Sequence, residues 1–192
     1  MIEGALYHDD RTRYCIQTNN PTEQILRKRR EADWLESCGP TAAVNCLSAL
    51  GHNVAVLCPG AWQPQPEEIL LDWFHDPRNA RFVGSVEMPN RVLSLYVPAV
   101  EAVFGIQTIV VPLRLDALRE YLETNHAVQL LLKQPGHYIA AVAWDSETEE
   151  ILYWDSWPDR FADKDGFNKR MSSREYQVNT HPTGVLYPRR PA

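Results

Sequence analysis

No apolar run in the 192 residues approaches the roughly 20 that a membrane-spanning helix needs. The opening Met1-Ile2-Glu3-Gly4-Ala5-Leu6-Tyr7-His8 has no basic head and no long apolar stretch, so it does not read as a signal peptide. The expectation is a cytoplasmic protein without a membrane partner. A basic surplus is missing as well. Lys and Arg number 19 against 25 Asp and Glu, a formal net charge of −6, which argues against nucleic acid as a partner. The one basic run, Arg27-Lys28-Arg29-Arg30, is flanked by Glu23 and Glu31 and reads as a solvated helix face. Cys15, Cys38, Cys46 and Cys58 are widely spaced and form no C-x-x-C pair. That spacing argues against a zinc cluster or a disulfide framework, and no metal or cofactor is expected. Repeats and low-complexity tracts are absent. With 44% apolar and 23% charged residues the chain reads as globular, one domain over residues 1–192.

What is present begins with Cys38, in Glu36-Ser37-Cys38-Gly39-Pro40-Thr41-Ala42-Ala43. Pro40 suits a first helical turn, where its missing N–H costs nothing. Ala43, Cys46, Leu47 and Leu50 then recur at i, i+3, i+4 and i+7, one apolar stripe, and Gly51 is the stop. The pattern places a thiol at the start of a buried helix. Free backbone N–H groups and partial positive charge there favour the thiolate, which is the nucleophile. Gly39 beside it reads as leaving room for a substrate. An ordinary buried cysteine is the alternative.

Around that helix the pattern is helices first and strands later, an α+β order. Tyr14-Cys15-Ile16-Gln17 reads as a short strand. Asn20-Pro21-Thr22-Glu23 starts a helix that runs to about Arg30. Residues 52–65 and 77–89 read as loops, the source of any specificity. Pro66-Glu67-Glu68 opens a helix through Phe74. Asn90 is a candidate cap for a helix to about Phe104, with a kink or an early break at Pro98. Ile106–Val111 is a strand and Leu113 to about Thr124 an amphipathic helix. Strands follow at Ala127–Leu132, Tyr138–Trp144 and Ile151–Asp155, with late ones near Tyr176–Val178 and Val185–Tyr187.

His137 opens the second of those strands and Asp155 ends the third. A nucleophilic cysteine needs a base, and that base needs a group to fix its tautomer. A carboxylate on the next strand fills this role by accepting the Nδ1–H bond. If Asp145 pairs with Ile151, Asp155 lies opposite Ala141, on the face of His137 but about 13 Å along the strand. Twist or a bulge must close the gap. Asp145 lies much farther away, and Asp159 is the reserve orienter.

Cys38-Gly39-Pro40-Thr41-Ala42, Gly136-His137-Tyr138-Ile139 and Tyr153-Trp154-Asp155 together resemble papain-like cysteine peptidases, and within them the bacterial C39-like branch with its bacteriocin-leader-processing domains. The likeness covers roughly residues 36–51 and 113–157. It implies a helical part carrying the Cys helix, packed on an antiparallel sheet carrying His and Asp. Cys38 would be the nucleophile, His137 the base and Asp155 the orienter. Asp155-Ser156-Trp157 is similar to the Asn-Ser-Trp of papain-like enzymes, which makes Trp157 a candidate shield over the orienter–histidine bond. Core packing is its other reading. The C39-like pattern has a glutamine about six residues before the cysteine as oxyanion donor. Here that position is Ala32, with Asp33 next, and Gln17 is the candidate to replace it.

The implied activity is hydrolysis of a peptide or isopeptide bond through an acyl-thioester on Cys38, with a peptide or protein as substrate. The same residues serve an acyltransferase or deamidase. A papain-like binding module without chemistry is the reading of another class, prompted by the missing glutamine. Selective alkylation of Cys38 separates the last from the other two.

Overall fold

The computed structural model describes residues 1–16, 37–52, 54, 65–84 and 89–189. Among them seven strands occur: β1 (Ile2–Gly4), β2 (Ile109–Pro112), β3 (Ala127–Leu132), β4 (His137–Asp145), β5 (Glu150–Trp154), β6 (Lys169–Ser172) and β7 (Thr183–Tyr187). They form one antiparallel sheet in the order β2-β7-β3-β4-β5-β6. β1 pairs with Ala143–Asp145 of β4, beyond the stretch that β3 covers. The described helices are α1 (Cys38–Ala49), α2 (Pro66–His75), α3 (Ala80–Val83), α4 (Tyr96–Phe104), α5 (Leu115–Glu123) and α6 (Ser173–Asn179). The architecture is α+β, and among the described residues no helix is long and apolar enough to cross a membrane.

Side-chain alternation splits the sheet between two cores. Tyr138, Ala140, Val142, Leu152 and Trp154 pack with α1, α2 and α4. Ile139, Ala141, Ile151 and Tyr153 pack with Leu118 and Leu122 of α5 and Tyr176 of α6. α1 is the centre of the first core. All its residues are buried, not one stripe of them, because Gly39, Ala42, Ala43 and Ala49 let neighbours close in on every side. Burying side chains such as Leu47 contributes roughly 1.5–3 kcal/mol each.

The β4–β5 register differs from the sequence expectation, and the difference decides the site. Asp145 pairs with Glu150, not Ile151, and a bulge between Ala141 and Ala143 shifts the ladder once more. Trp154 then pairs with Ala140, which sets Asp155 level with Ile139. Asp155 is thus about 7 Å along the strand from His137, half the expected gap.

Other expectations change too. Tyr14, Cys15 and Ile16 are not a strand. The Cys15 backbone is held by the Asn45 side chain of α1, whose amide accepts from Cys15 N (2.8 Å) and donates to Cys15 O (3.1 Å). Gln17, the helix expected from Pro21 and nearly all of the 52–65 loop lie outside the described residues. The 77–89 segment is not all loop: Pro77–Asn79 is a 3-10 turn and α3 follows it. The helix expected from Asn90 starts at Tyr96, after 3-10 turns at Pro89–Arg91 and Leu93–Leu95. Pro98 falls in its first turn, where no N–H is needed, so it sets the late start and no kink. The late strand near Tyr176 is instead part of α6, which the Ser172 side chain caps by accepting from Glu175 N (3.2 Å).

Candidate active site

Cys38 is the first residue of α1 and the fold anchors that turn from several sides. The Ser37 carbonyl accepts from Thr41 N (2.9 Å) and Thr41 Oγ1 (2.8 Å). From β3, Gln129 Nε2 donates to Gly39 O (3.0 Å), and Tyr187 OH of β7 donates to Gln129 Oε1 (2.8 Å). The space beside Gly39 is not open for a substrate, as its position next to Cys38 suggested. A Cβ there would stand 1.9 Å from the Tyr96 hydroxyl and 2.9 Å from Asn90 O. Tyr96 OH donates to Asn90 O (2.6 Å) and Tyr138 OH to Arg91 O (2.7 Å), so buried phenols pin residues 90 and 91 beside the Cys38 turn.

His137 opens β4 after Gly136, whose φ of 77° lets the chain turn into the strand. Its Nε2–H donates to Asp155 Oδ1 at 2.6 Å. The bond runs through Nε2 rather than the Nδ1 expected from sequence. With Nε2 committed to a carboxylate that can only accept, Nδ1 is the nitrogen left for Cys38, with which His137 also hydrogen-bonds. Asp155 has no exposed surface, His137 is 3% exposed and Cys38 9%. Asp155 Oδ1 also accepts from Trp157 N (2.9 Å), and Oδ2 accepts from Arg160 Nη1 (2.8 Å). Behind it, Asp155 N donates to Gly166 O (2.8 Å) and the Tyr14 hydroxyl donates to Asp155 O.

The electrostatics divide the described cysteines. Burial alone would push the Cys38 thiol up, but the hydrogen bond and charge of His137, with help from the Tyr138 backbone and Arg91, bring it below its ordinary value. Cys15 and Cys46 have no such partner: burial drives Cys15 up to about 12 and Cys46 well above its usual range. For His137, burial pushes down while the bonds to Asp155 and Cys38 push up, and the net result is a rise to about 9. A lowered thiol beside a raised imidazole favours the thiolate–imidazolium pair.

The structure therefore brings Cys38, His137 and Asp155 into one hydrogen-bonded chain. The Trp157 ring lies edge-on to the His137 ring, centroids 5.8 Å apart. Asp159, the reserve orienter, is away from the site: it is exposed and pairs with Lys164 at 3.5 Å. Arg160, Tyr96 and the Gln129–Tyr187 pair were missed from sequence. Arg160 had a signal, a cation five residues after a candidate buried carboxylate. Gln129 had another, a lone polar residue inside an apolar strand. Tyr96 had none. Clefts of about 680 and 490 Å³ open on the α5 side, lined by Arg114, Lys133 and His181 and by Arg119, Trp144 and Glu149; neither includes the Cys38 group. Among the described residues no three His, Cys, Asp or Glu side chains converge as a metal-binding set.

Residues 12–181 match the model of the Peptidase C39 like family, most of the chain. No curated protein matches it.

Proposed function

Because the chain belongs to the Peptidase C39 like family, we propose that it is a cysteine peptidase, with Cys38 as nucleophile, His137 as acid and base, and Asp155 as orienter. The observation that carries this reading is the buried chain from Cys38 through His137 to Asp155, with the thiol lowered and the imidazole raised. The substrate is a peptide or protein.

In the reaction, Cys38 thiolate attacks the carbonyl carbon and the C–S bond forms. The N–H groups of the first turn of α1 face the developing oxyanion. His137 gives its Nδ1 proton to the leaving amine as the C–N bond breaks, which leaves a thioester on Cys38. Now neutral at Nδ1, His137 takes a proton from water, the resulting hydroxide attacks the thioester, and the acid and free thiolate return. Asp155 holds the proton on Nε2 throughout, so Nδ1 is always the working nitrogen. Trp157 covers one side of the imidazole–carboxylate bond. Acyl transfer to an amine uses the same residues with another acceptor in place of water.

The test is turnover of a fluorogenic peptide library by the protein beside Cys38→Ala and His137→Ala. Both variants are expected to lose roughly a thousand-fold or more. Library cleavage that survives Cys38→Ala would sink the reading. Product masses then separate hydrolysis, which adds the elements of water, from transfer to an added amine.

A further inference from the structure

We propose that Arg160 is a fourth functional member of this group, a positioning residue whose guanidinium completes an alternating chain of charge with Cys38, His137 and Asp155. The inference rests on the peptidase reading and deepens it. Its basis is geometric. Asp155 is wholly buried, and its two oxygens are divided between two cationic donors: Oδ1 takes His137 Nε2–H at 2.6 Å and Oδ2 takes Arg160 Nη1 at 2.8 Å. The Arg160 side chain is 23% exposed, unlike that of Arg114, 81% exposed beside a 69% exposed Asp116 in an ordinary surface pair. One short segment supplies all the parts. Asp155 accepts the Trp157 N–H, the Trp157 ring packs edge-on to His137, and the 3-10 turn Pro158–Arg160 swings the arginine back onto the carboxylate.

The charge count shows why the arginine matters. A working site holds Cys38 thiolate, His137 imidazolium and Asp155 carboxylate, which alone sum to one net negative charge in a buried place. Net buried charge is costly, and the group would shed it by keeping the thiol protonated. Within the bonded chain itself, Arg160 brings the sum to zero with the signs alternating along it. It also draws on the carboxylate that grips the imidazolium, so His137 remains able to release its proton to a leaving amine.

Other groups among the described residues also face this chain. The Arg91 cation acts on Cys38 from the 3-10 turn Pro89–Arg91. The phenols of Tyr96, Tyr138, Tyr14 and Tyr153 face Cys38 or Asp155, and burial pushes each far above its ordinary value, so they stay neutral. Arg160 is thus the guanidinium bonded to Asp155 among the described residues, and its removal changes the charge there.

The experiment follows alkylation of Cys38 by iodoacetamide against pH, read by peptide mass spectrometry with Cys15 and Cys46 as internal references. The wild type is expected to show one rise as the thiolate forms and a second as His137 loses its proton, near pH 9. In Arg160→Gln, loss of a positive charge is expected to move both steps to higher pH, each by roughly one unit. Arg160→Lys keeps the charge and is expected to keep both steps near their wild-type positions. A merely structural role gives a different signature: a loosened Asp155 lowers the His137 step while it raises the Cys38 step. Steps that stay in place in Arg160→Gln, move in opposite directions, or move alike in Arg160→Lys would overturn the proposal. Should Arg160→Gln fail to fold by circular dichroism, Arg160→Met replaces it, and the lysine variant still decides between charge and shape. Wild-type Cys38 reacting no faster than Cys15 at neutral pH would bring down the peptidase reading as well. A fast wild type with an unmoved Arg160→Gln profile removes the Arg160 inference alone.

Discussion

The β4–β5 hairpin carries an aspartate at each end, and the two are built alike. Asp155, at the open end, accepts the N–H of Trp157 two residues on (2.9 Å) and the guanidinium of Arg160 (2.8 Å). Asp145, at the turn, accepts the N–H of Glu147 two residues on (3.1 Å) and the guanidinium of Arg170 (2.9 Å). The surroundings differ. Arg170 is 42% exposed and shares its Nη1 with Glu150 (2.9 Å) and Thr148 (3.1 Å), and the Met1 ammonium lies 3.7 Å from Asp145. At Asp155 no second acceptor for Arg160 is found among the described residues, and the carboxylate has no exposed surface and an imidazole on its other oxygen. One local device serves as a fastener at the turn and as an orienter at the sheet end. What packs over it decides which.

Asp→Asn at both ends is the sharpest way to break the comparison, and the larger effect belongs to Asp155. An amide there can keep its oxygen toward Trp157 N–H and His137, but its NH₂ group then faces Arg160 Nη1, donor against donor. Leaving a partly buried guanidinium without its acceptor costs about 2 kcal/mol or more. The chemistry suffers further. His137 loses the charge that raises it to about 9 and falls back toward or below 6.5. The Cys38 thiol rises as the imidazolium disappears. The pH window of the ion pair therefore closes from both sides. Turnover of any cleaved peptide should fall roughly a hundred- to ten-thousand-fold at neutral pH. A pH–rate profile of Asp155→Asn that overlays the wild type would show that the carboxylate does not set the pair.

Much of this end of the molecule was legible from sequence, because its signals are local. The Pro66-Glu67-Glu68 helix start, the small-residue Cys38 helix and the two apolar runs joined by Lys133-Gln134-Pro135-Gly136 each dictate an element without tertiary help. β3 is found at the residues where its apolar run placed it. Register was less legible. A one-residue slip and a bulge at Ala141–Ala143 depend on how two cores are filled, which no window of sequence contains. The choice of Nε2 over Nδ1 has the same origin, since it follows from which side of the ring Asp155 reaches. Tyr176–Val178 misled because β-favouring residues sat behind a serine cap, and the cap won. Tyr96 was invisible because its meeting with Gly39 spans more than fifty residues of chain.

That meeting supplies the middle-sized test, away from both aspartates. Gly39→Ala puts a methyl where the Tyr96 hydroxyl stands, 1.9 Å away, with Asn90 O at 2.9 Å. Helix propensity favours alanine, yet the phenol must leave a buried bond to make room. Overpacking of this kind costs about 1–3 kcal/mol. Thermal unfolding of Gly39→Ala should show that loss, and Gly39→Ala with Tyr96→Phe should recover part of it. An unchanged or raised midpoint for the single variant would mean the first turn of α1 is looser than its packing implies.

Asp145→Asn is the smallest of the effects and the one that completes the comparison. The new amide faces Arg170 donor against donor, as at the other end. Here, however, Arg170 retains Glu150 and Thr148 and reaches water, so nothing is left stranded. The Arg170 bond, then the Glu147 N–H, hold the Asp145 carboxyl below its ordinary value of 3.8. A carboxyl lowered on folding stabilises above its unfolded value, and that contribution fades as pH falls through the lower, folded one. Asp145→Asn should therefore unfold slightly earlier than wild type at neutral pH, and the two should converge in strong acid. Cys38 alkylation should keep its rate and both of its steps, since β4 separates Asp145 from His137 by about 26 Å of strand. A shift in the Cys38 profile on changing Asp145 would mean that the hairpin ends are coupled through β4, and that the device at the turn is more than a fastener.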